Sequence, residues 1–253
     1  MVQRPSASRS FVREWRCLAL SCGKSNIRAG SALPIVVKLG GSLAESGRLR
    51  SILDIIGRAR VPVVIVPGGG AFADAVRHAQ AAFHFPDAAA HQMALLAMHQ
   101  TGLMLKALHP RLAPFETLAE LRRALARGQI PVWLPLKLVQ CDARITANWS
   151  TTSDGLAARL AERIGRVPVV LVKSCRIACG TSLAALVRLK VVDPTFASIV
   201  DRARLRWRVV GDGDAKDLAG LVEARTRTIY RRRGRSRDAG RRMAPGRAIA
   251  RHR

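Results

Sequence analysis

The segment PIVVKLGGS at residues 34–42 decides the fold. It joins a run that is apolar except for Lys38, Ile35–Leu39, to two glycines and a serine. A continuous rather than alternating apolar run predicts a strand that is covered on both faces, as in a parallel sheet. The segment 48–60 then predicts a helix, because one face carries Leu49, Ile52, Leu53 and Ile56. Strand, glycine turn and helix together are typical of an α/β protein.

The same order of elements recurs as far as residue 223. Further strands are predicted at 61–66, 130–136, 167–173 and 206–210. Further helices are predicted at 71–83, 87–108, 153–164 and 215–223, and one more begins after Thr117. Asp87 is the predicted cap of the helix at 87–108, and Thr117 and Glu120 form a predicted capping box. We therefore predict a three-layer α/β/α sandwich with a largely parallel central sheet, formed by a single domain at 34–223.

Charge is concentrated at the two ends of the chain. The 253 residues carry 43 Lys and Arg against 17 Asp and Glu, a net charge of +26, of which residues 224–253 contribute +11 and residues 1–33 contribute +5. We expect a disordered basic leader at 1–33 and a disordered Arg-rich tail at 224–253. The tail is either an arm for nucleic acid or a non-functional extension, and the leader resembles a transit peptide in composition or reflects an over-extended start. A hydrophobic content of 49% excludes wholesale disorder of the chain.

Composition also limits the compartment and the kinds of site. The five cysteines are odd in number and lack zinc-site spacing, so we expect no metal held by side chains and a reducing, cytoplasmic setting. No apolar stretch approaches the ~18 residues of a membrane span. We therefore expect no membrane association, and no nucleic-acid partner apart from the basic tail.

Two glycine loops follow predicted strands. Gly40, Gly41 and Ser42 follow Lys38, and Gly68, Gly69 and Gly70 follow Pro67. Glycines at this place let backbone N–H groups approach an anion at the start of a helix, although either loop alone could be a tight turn. Neither is a P-loop, since GxxxxGKS/T is absent, and Ala73 counts against a dinucleotide-binding loop. Two such loops together favour a site for two phosphate-bearing ligands.

Two charged residues are candidates for the same edge of the sheet. Asp154 opens the helix at 153–164, where it is either ordinary helix-start chemistry or a carboxylate that orients lysines. Lys173 ends a predicted strand and is either a phosphate ligand or a surface lysine. The helix 87–108 carries His91 and His99, and it is either a core or subunit-contact helix or one that directs His91 at an acceptor.

These motifs, in this order, resemble the amino acid kinase family of acetylglutamate, aspartate, carbamate and uridylate kinases. The resemblance rests on KLGGS at 38–42, VPGGG at 66–70 and TTSDGLAARLA at 151–161. Within the family, VPGGGAFADAV at 66–76, AAHQMALLAMHQTG at 89–102, NWSTTSD at 148–154 and VVDPTFASIV at 191–200 are most similar to the methylofuran-pathway branch. That branch acts on 5-(aminomethyl)-3-furanmethanol phosphate.

The resemblance implies roles for individual residues. Lys38, Gly40, Gly41 and Ser42 would hold the phosphates of ATP, and Lys173 would neutralise nucleotide charge. Asp154 would orient the lysines. Gly68, Gly69 and Gly70 would contact the acceptor phosphate and the transferred group, and His91, if its helix is functional, would also bind the acceptor. One departure is clear: family members commonly carry an acidic Asp-x-Asp-Gly-type stretch after the strand that ends at Lys173, and here residues 174–179 read SCRIAC.

The resemblance also implies ATP and Mg²⁺ as cofactors and a homo-oligomer. The expected reaction is transfer of a phosphoryl group from ATP to a small phosphorylated alcohol, giving a diphosphate. Two alternatives stay open. One is a family member with a carboxylate or UMP as acceptor, and the other is a non-catalytic storage-type protein that binds an oxyanion or nucleotide on the same fold.

Overall fold

The computed structural model describes residues 33–178 and 180–223. The leader predicted for 1–33, apart from its last residue, and the tail predicted for 224–253 lie outside the described residues, as does Cys179.

Within the described residues, six short strands form one sheet in which every pairing is parallel. They are β1 Ile35–Leu39, β2 Val63–Pro67, β3 Leu112–Phe115, β4 Ile130–Trp133, β5 Val169–Val172 and β6 Trp207–Val210. Their order across the sheet is β3-β4-β2-β1-β5-β6, so β1 lies at the centre between β2 and β5. In that register Lys38 lies opposite Val66 on one side and Leu171 on the other.

Helices cover both faces of the sheet. They are α1 Leu49–Gly57, α2 Gly70–Phe83, α3 Asp87–Leu108, α4 Leu118–Ala126, α5 Leu136–Gln140, α6 Ser153–Arg163, α7 Leu183–Arg188, α8 Pro194–Ala203 and α9 Ala215–Val222. One buried cluster joins Val37 to α1 and α9, and a second joins its neighbour Val36 to α6 and α8. Because adjacent strand residues point to opposite faces, the two clusters are the two cores of a sandwich. The predicted three-layer α/β/α architecture is confirmed.

Several element boundaries differ from the prediction. The fourth strand ends at Trp133 rather than residue 136, because Pro135 is the N-cap of the short helix α5. Asp87 is the first residue of α3 and not its cap, which is Pro86, and the Asp87 carboxylate accepts a hydrogen bond from Gln80. Strand β3 and helices α5, α7 and α8 were not predicted. The capping box of Thr117 and Glu120 at the start of α4 is present as predicted.

The carboxyl ends of β1, β2 and β5 meet at one edge of the sheet. Backbone N–H groups continue the ladder beyond them, since Gly40 donates to Val172 and Gly68 donates to Leu39. Ligands of open parallel sheets bind at this edge, outside the strand ends. Among the described helices, none has the length and apolar character needed to cross a bilayer.

Candidate active site

The two glycine loops touch each other backbone to backbone. A Cβ atom placed on Gly41 would lie 2.3 Å from the backbone nitrogen of Gly70, and one placed on Gly68 would lie 2.5 Å from that of Gly41. Any side chain at these positions would push the loops apart. The glycines are therefore required by the close approach of two strand ends, and not by a turn in either loop alone.

The second loop leads directly into α2. Gly69 occupies the N-cap position, Gly70 has a φ of +54°, and no side chain caps the helix. Both glycines line the cavity described below. An uncapped N-terminus presents backbone N–H groups and the positive end of the helix dipole to that cavity, which suits a phosphate.

Lys38, Asp154 and Lys173 form a buried triad. One oxygen of the Asp154 carboxylate lies 2.9 Å from Lys38 Nζ, and the other accepts a hydrogen bond of 2.5 Å from Lys173 Nζ. The side chains of Lys38, Asp154 and Lys173 are 6%, 4% and 15% exposed. The prediction placed these three residues, which are far apart along the chain, at one site. The carboxylate holds both ammonium groups side by side.

Burial and charge set the protonation of the triad. Burial raises the pKa of the Asp154 carboxyl, but the adjacent charges of Lys38 and Lys173 outweigh burial and leave the pKa below its ordinary value. For Lys173, burial and the like charge of Lys38 lower the pKa to about 8, against the opposing pull of Asp154. Asp154 is therefore held as a carboxylate, and most of Lys173 is protonated near neutral pH. Two basic side chains and one acidic one face the cavity.

A cavity of about 810 Å³ opens above the triad. It is lined by both glycine loops at Gly41, Ser42, Gly69 and Gly70, by the triad, and by residues of α2, the 149–153 segment and the 187–194 segment. Among the described residues, five basic side chains and three acidic ones line it. The basic ones are Lys38, Arg77, Lys173, Arg188 and Lys190, and the acidic ones are Asp74, Asp154 and Asp193. This volume and this excess of positive charge suit a large polyanion.

Arg77 and Trp149 are site residues that the sequence prediction missed. The Arg77 guanidinium lies 4.4 Å from the centroid of the Trp149 ring and 2.5 Å from the Asp74 carboxylate. Trp149 in turn donates a hydrogen bond of 2.6 Å to Gln80 of α2. Two side chains of α2, Arg77 and Gln80, thus hold Trp149 in place. The sequence signal for Arg77 is its spacing: it lies four residues, about one helical turn, after Ala73, which is beside the second glycine loop.

His91 does not line the large cavity. It contributes to a small adjoining cavity of about 50 Å³ that shares Gly69, Arg77 and Trp149 with the large one, and to a separate cavity of about 460 Å³. The ring is buried, and its Nε2 has no hydrogen-bond partner among the described residues. Burial lowers the pKa of His91 against the opposing effect of a hydrogen bond to the backbone of Asn148, so the ring is neutral.

Gly40 and Gly68 lie behind the cavity wall, in the strand ladder.

The segment in place of the family's acidic stretch packs against the end of β6. Ser174 hydrogen-bonds Ser42 at 2.7 Å between their hydroxyl oxygens, and the backbone of Asp212 donates to the carbonyl of Cys175. Arg48 pairs with Asp212 at 3.0 Å. An acidic group therefore does lie beside residues 174–178, but the segment that follows β6 supplies it.

Side chains do not form a metal cage here. Within 33–178 and 180–223, no group of three or more His, Cys, Asp or Glu side chains is placed to hold an ion. Asp154 is paired with two lysines, and Asp74 with Arg77. A Mg²⁺ ion that entered with a nucleotide would rest mainly on phosphate oxygens and water, as Mg²⁺ commonly does.

Comparisons with known proteins show the family and the fold of this chain. A (5-(aminomethyl)furan-3-yl)methyl phosphate kinase of Methanocaldococcus jannaschii is 28% identical over 124 residues, which are 48% of this chain and 57% of that protein. The match thus spans little more than half the length of this relative. The crystal structure of a uridylate kinase from Archaeoglobus fulgidus aligns with 74% of this chain and 94% of its own at a TM-score of 0.53 and 17% identity, which shows the shared fold. Residues 34–174, more than half of the chain, match the amino acid kinase family, and the chain belongs to that family.

Proposed function

We propose that the protein is an ATP-dependent phosphotransferase whose acceptor is a small phosphate monoester, of the aminomethylfuran-methyl phosphate type, and whose product is a diphosphate. The observation that carries this proposal is the single cavity shared by two interlocked glycine loops and the Lys38–Asp154–Lys173 triad.

The donor side is supported by the first glycine loop and the triad. Gly41 and Ser42 open onto the cavity together with the ammonium groups of Lys38 and Lys173. Both ammonium groups are held by one buried carboxylate, so they are fixed before a ligand arrives. Fixed cations stabilise the charge that spreads over a transferred phosphoryl group more effectively than mobile ones, because no reorganisation is needed during the reaction.

The acceptor side is supported by the second glycine loop and Arg77. Gly69, Gly70 and Arg77 line the large cavity, and Gly69 and Arg77 also line the small cavity that reaches His91. A guanidinium and a helix N-terminus together favour a phosphate group on the acceptor. The walls of the small cavity include Leu95, Met98 and Leu156, which suit an apolar body such as a furan ring. The M. jannaschii relative is named for a substrate with this combination of groups.

The chemistry requires little of the protein beyond positioning. An oxygen of the acceptor's phosphate forms a new P–O bond to the γ-phosphorus of ATP, while the bond from that phosphorus to the β,γ-bridging oxygen breaks and ADP leaves. The attacking oxygen is already an anion, so no general base is needed. Bound Mg²⁺ would supply further neutralisation of the nucleotide phosphates. The residues of this chain hold two anions in contact: Lys38 and Lys173 offset their mutual repulsion, and the interlocked loops set the distance between them.

A direct test is to measure ADP formation from ATP with three acceptors: the aminomethylfuran-methyl phosphate, UMP and acetylglutamate. We expect turnover with the first, and a diphosphate product in the ³¹P NMR spectrum. Turnover only with UMP or acetylglutamate would reassign the acceptor within the family. Tight binding of ATP with no turnover on any of the three would contradict catalysis and select the storage-type alternative.

A further inference from the structure

Asp193 lies beside the triad and accepts four hydrogen bonds. One carboxylate oxygen accepts from the backbone N–H of Thr152 at 3.0 Å, from the Thr152 hydroxyl at 2.6 Å and from the backbone N–H of Gly155 at 2.9 Å. The other accepts from the backbone N–H of Phe196 at 2.6 Å. Asp193 is only 8% exposed, so these four donors replace the water that a free carboxylate would have.

The four donors belong to two different helix starts. Phe196 is in the first turn of α8, for which Asp193 is the N-cap. Thr152 is the N-cap of α6, and Gly155 is in its first turn. An ordinary N-cap serves one helix. Here a single carboxylate serves two, and it therefore fixes where α6 begins relative to α8.

The start of α6 is the part of the chain that carries Asp154. Asp154 lies between Thr152 and Gly155, the two residues that donate to Asp193, and its own backbone N–H is capped by the Thr152 hydroxyl. A Cβ on Gly155 would lie 2.9 Å from an Asp193 oxygen, so only glycine permits this approach. A shift of the Asp193 carboxylate would move Thr152 and Gly155, and Asp154 with them.

We propose that Asp193 is a positioning residue: by joining the starts of α6 and α8 it keeps the Asp154 carboxylate between Lys38 and Lys173. Its negative charge also acts on the triad directly. Burial and the charge of Asp154 raise the pKa of Asp193, while the hydrogen bonds from Thr152, Gly155 and Phe196 oppose that rise and favour the carboxylate. Removal of Asp193 takes away one of two acidic side chains that face two lysines at this site. The expected loss of catalysis rests on the proposed phosphotransfer, but the expected change in the titration of Lys173 does not.

The experiment compares Asp193→Asn with Asp201→Asn, a matched change at an exposed position of α8. The asparagine removes the charge and places an NH₂ group against at least one of the four donors. With ¹³C-labelled lysine and no nucleotide, NMR follows the titration of Lys173, assigned by Lys173→Arg. The pKa of Lys173 is about 8 in the wild type, because burial and Lys38 lower it while Asp154 and Asp193 raise it. We expect the titration to move to lower pH in D193N and to stay unchanged in D201N.

Kinetics supply the second readout. We expect kcat/KM to fall by about 10- to 100-fold in D193N, as for a catalytic group displaced by up to ~1 Å, and its alkaline limb to move to lower pH. A folded D193N protein with a lower melting temperature but an unchanged Lys173 titration would overturn the proposal and reduce Asp193 to a helix cap. If D193N does not fold, the same titration is measured in Thr152→Val, which removes the hydroxyl that donates to Asp193. A shift of the Lys173 titration to lower pH would support the proposal, and an unchanged titration would overturn it. If the wild-type protein shows no turnover, the proposed function is wrong. The titration of Lys173 then remains the test of the role of Asp193.

Discussion

The contact between the two glycine loops makes Gly41→Ala the sharpest test of the site. The added Cβ would lie 2.3 Å from the Gly70 nitrogen and 2.4 Å from the Gly70 Cα, where ordinary van der Waals contact begins at 3.4 Å. Both neighbours are backbone atoms at the start of α2, so no side chain can rotate away. The loops must separate by about 1 Å to accommodate the methyl group.

That separation would act on the distance between donor and acceptor. A misplacement of ~1 Å costs on the order of 100-fold in rate, which corresponds to about 3 kcal/mol of activation free energy. Steady-state kinetics of G41A should therefore show kcat/KM lowered by about two orders of magnitude, with the larger part in kcat. A folded G41A enzyme with wild-type kcat/KM would refute the idea that contact between the loops sets the transfer distance.

Gly47→Ala is the matched control for that experiment. Gly47 has a φ of +70°, and no atom lies within 4 Å of the position that a Cβ would take there, so alanine would suffer backbone strain without a clash. We expect G47A to lose about 1–2 kcal/mol of stability in denaturant unfolding and to keep its kcat/KM. The pair thus separates loss of stability from loss of loop contact.

Four further outcomes are expected. Asp154→Asn leaves two buried ammonium groups without their carboxylate, and we expect a loss of about 3–5 kcal/mol in urea unfolding together with near-complete loss of turnover. The kcat/KM of the wild type should be halved near pH 8 and fall further above it, because Lys173, with its pKa lowered to about 8 mainly by burial, loses its charge there. Arg77→Ala should raise the KM for the acceptor by about tenfold or more and leave that for ATP nearly unchanged. Stability should fall as the pH drops below about 6.5, because burial lowers the pKa values of both His91 and His99, and protonation of either ring favours the unfolded chain.

Matched changes distinguish these effects from a general loss of stability. Asp54→Asn and Arg122→Ala alter exposed residues of α1 and α4, and both should leave kinetics and unfolding close to wild type. A D154N enzyme as active as D54N, or an R77A enzyme with an unchanged acceptor KM, would contradict the roles assigned to the triad and to Arg77. If the fall of kcat/KM at alkaline pH persists in Lys173→Arg, a group other than Lys173 causes it. Unfolding free energies that are equal at pH 5 and pH 7 would contradict the roles of His91 and His99.

The central elements were predictable because their signals are local. Strands β2 and β5 are buried on both faces and contain only apolar residues, and β1 has Lys38 as its single polar residue. Lysines and glycines at the carboxyl ends of parallel strands lie at one edge of the sheet, so the sequence predicts that Lys38 and Lys173 lie close together. Asp154 lies within the third motif at a predicted helix start, and the family resemblance implied that it orients the lysines.

What was missed depends on contacts between distant segments. Strand β3 has only four residues, LAPF, contains a proline and lies at the sheet edge, so it lacks a clear strand pattern. Asp193 and Pro194 do carry the local signature of a helix start. That Asp193 also holds α6 follows from donors some 40 residues earlier in the chain, which no local pattern reveals. The pairing of Arg77 with Trp149 is hidden for the same reason.

The central position of β1 has a consequence for synthesis of the chain. Its partner β2 follows within 30 residues, but its other partner, β5, begins about 130 residues after β1. At a translation rate of roughly 5–20 residues per second, one side of β1 must wait on the order of 10 s for its neighbour to leave the ribosome. During that interval an apolar strand destined for the middle of the sheet has an open edge, which favours association with other nascent chains. Chaperone dependence in the cell should therefore be greatest before β5 emerges.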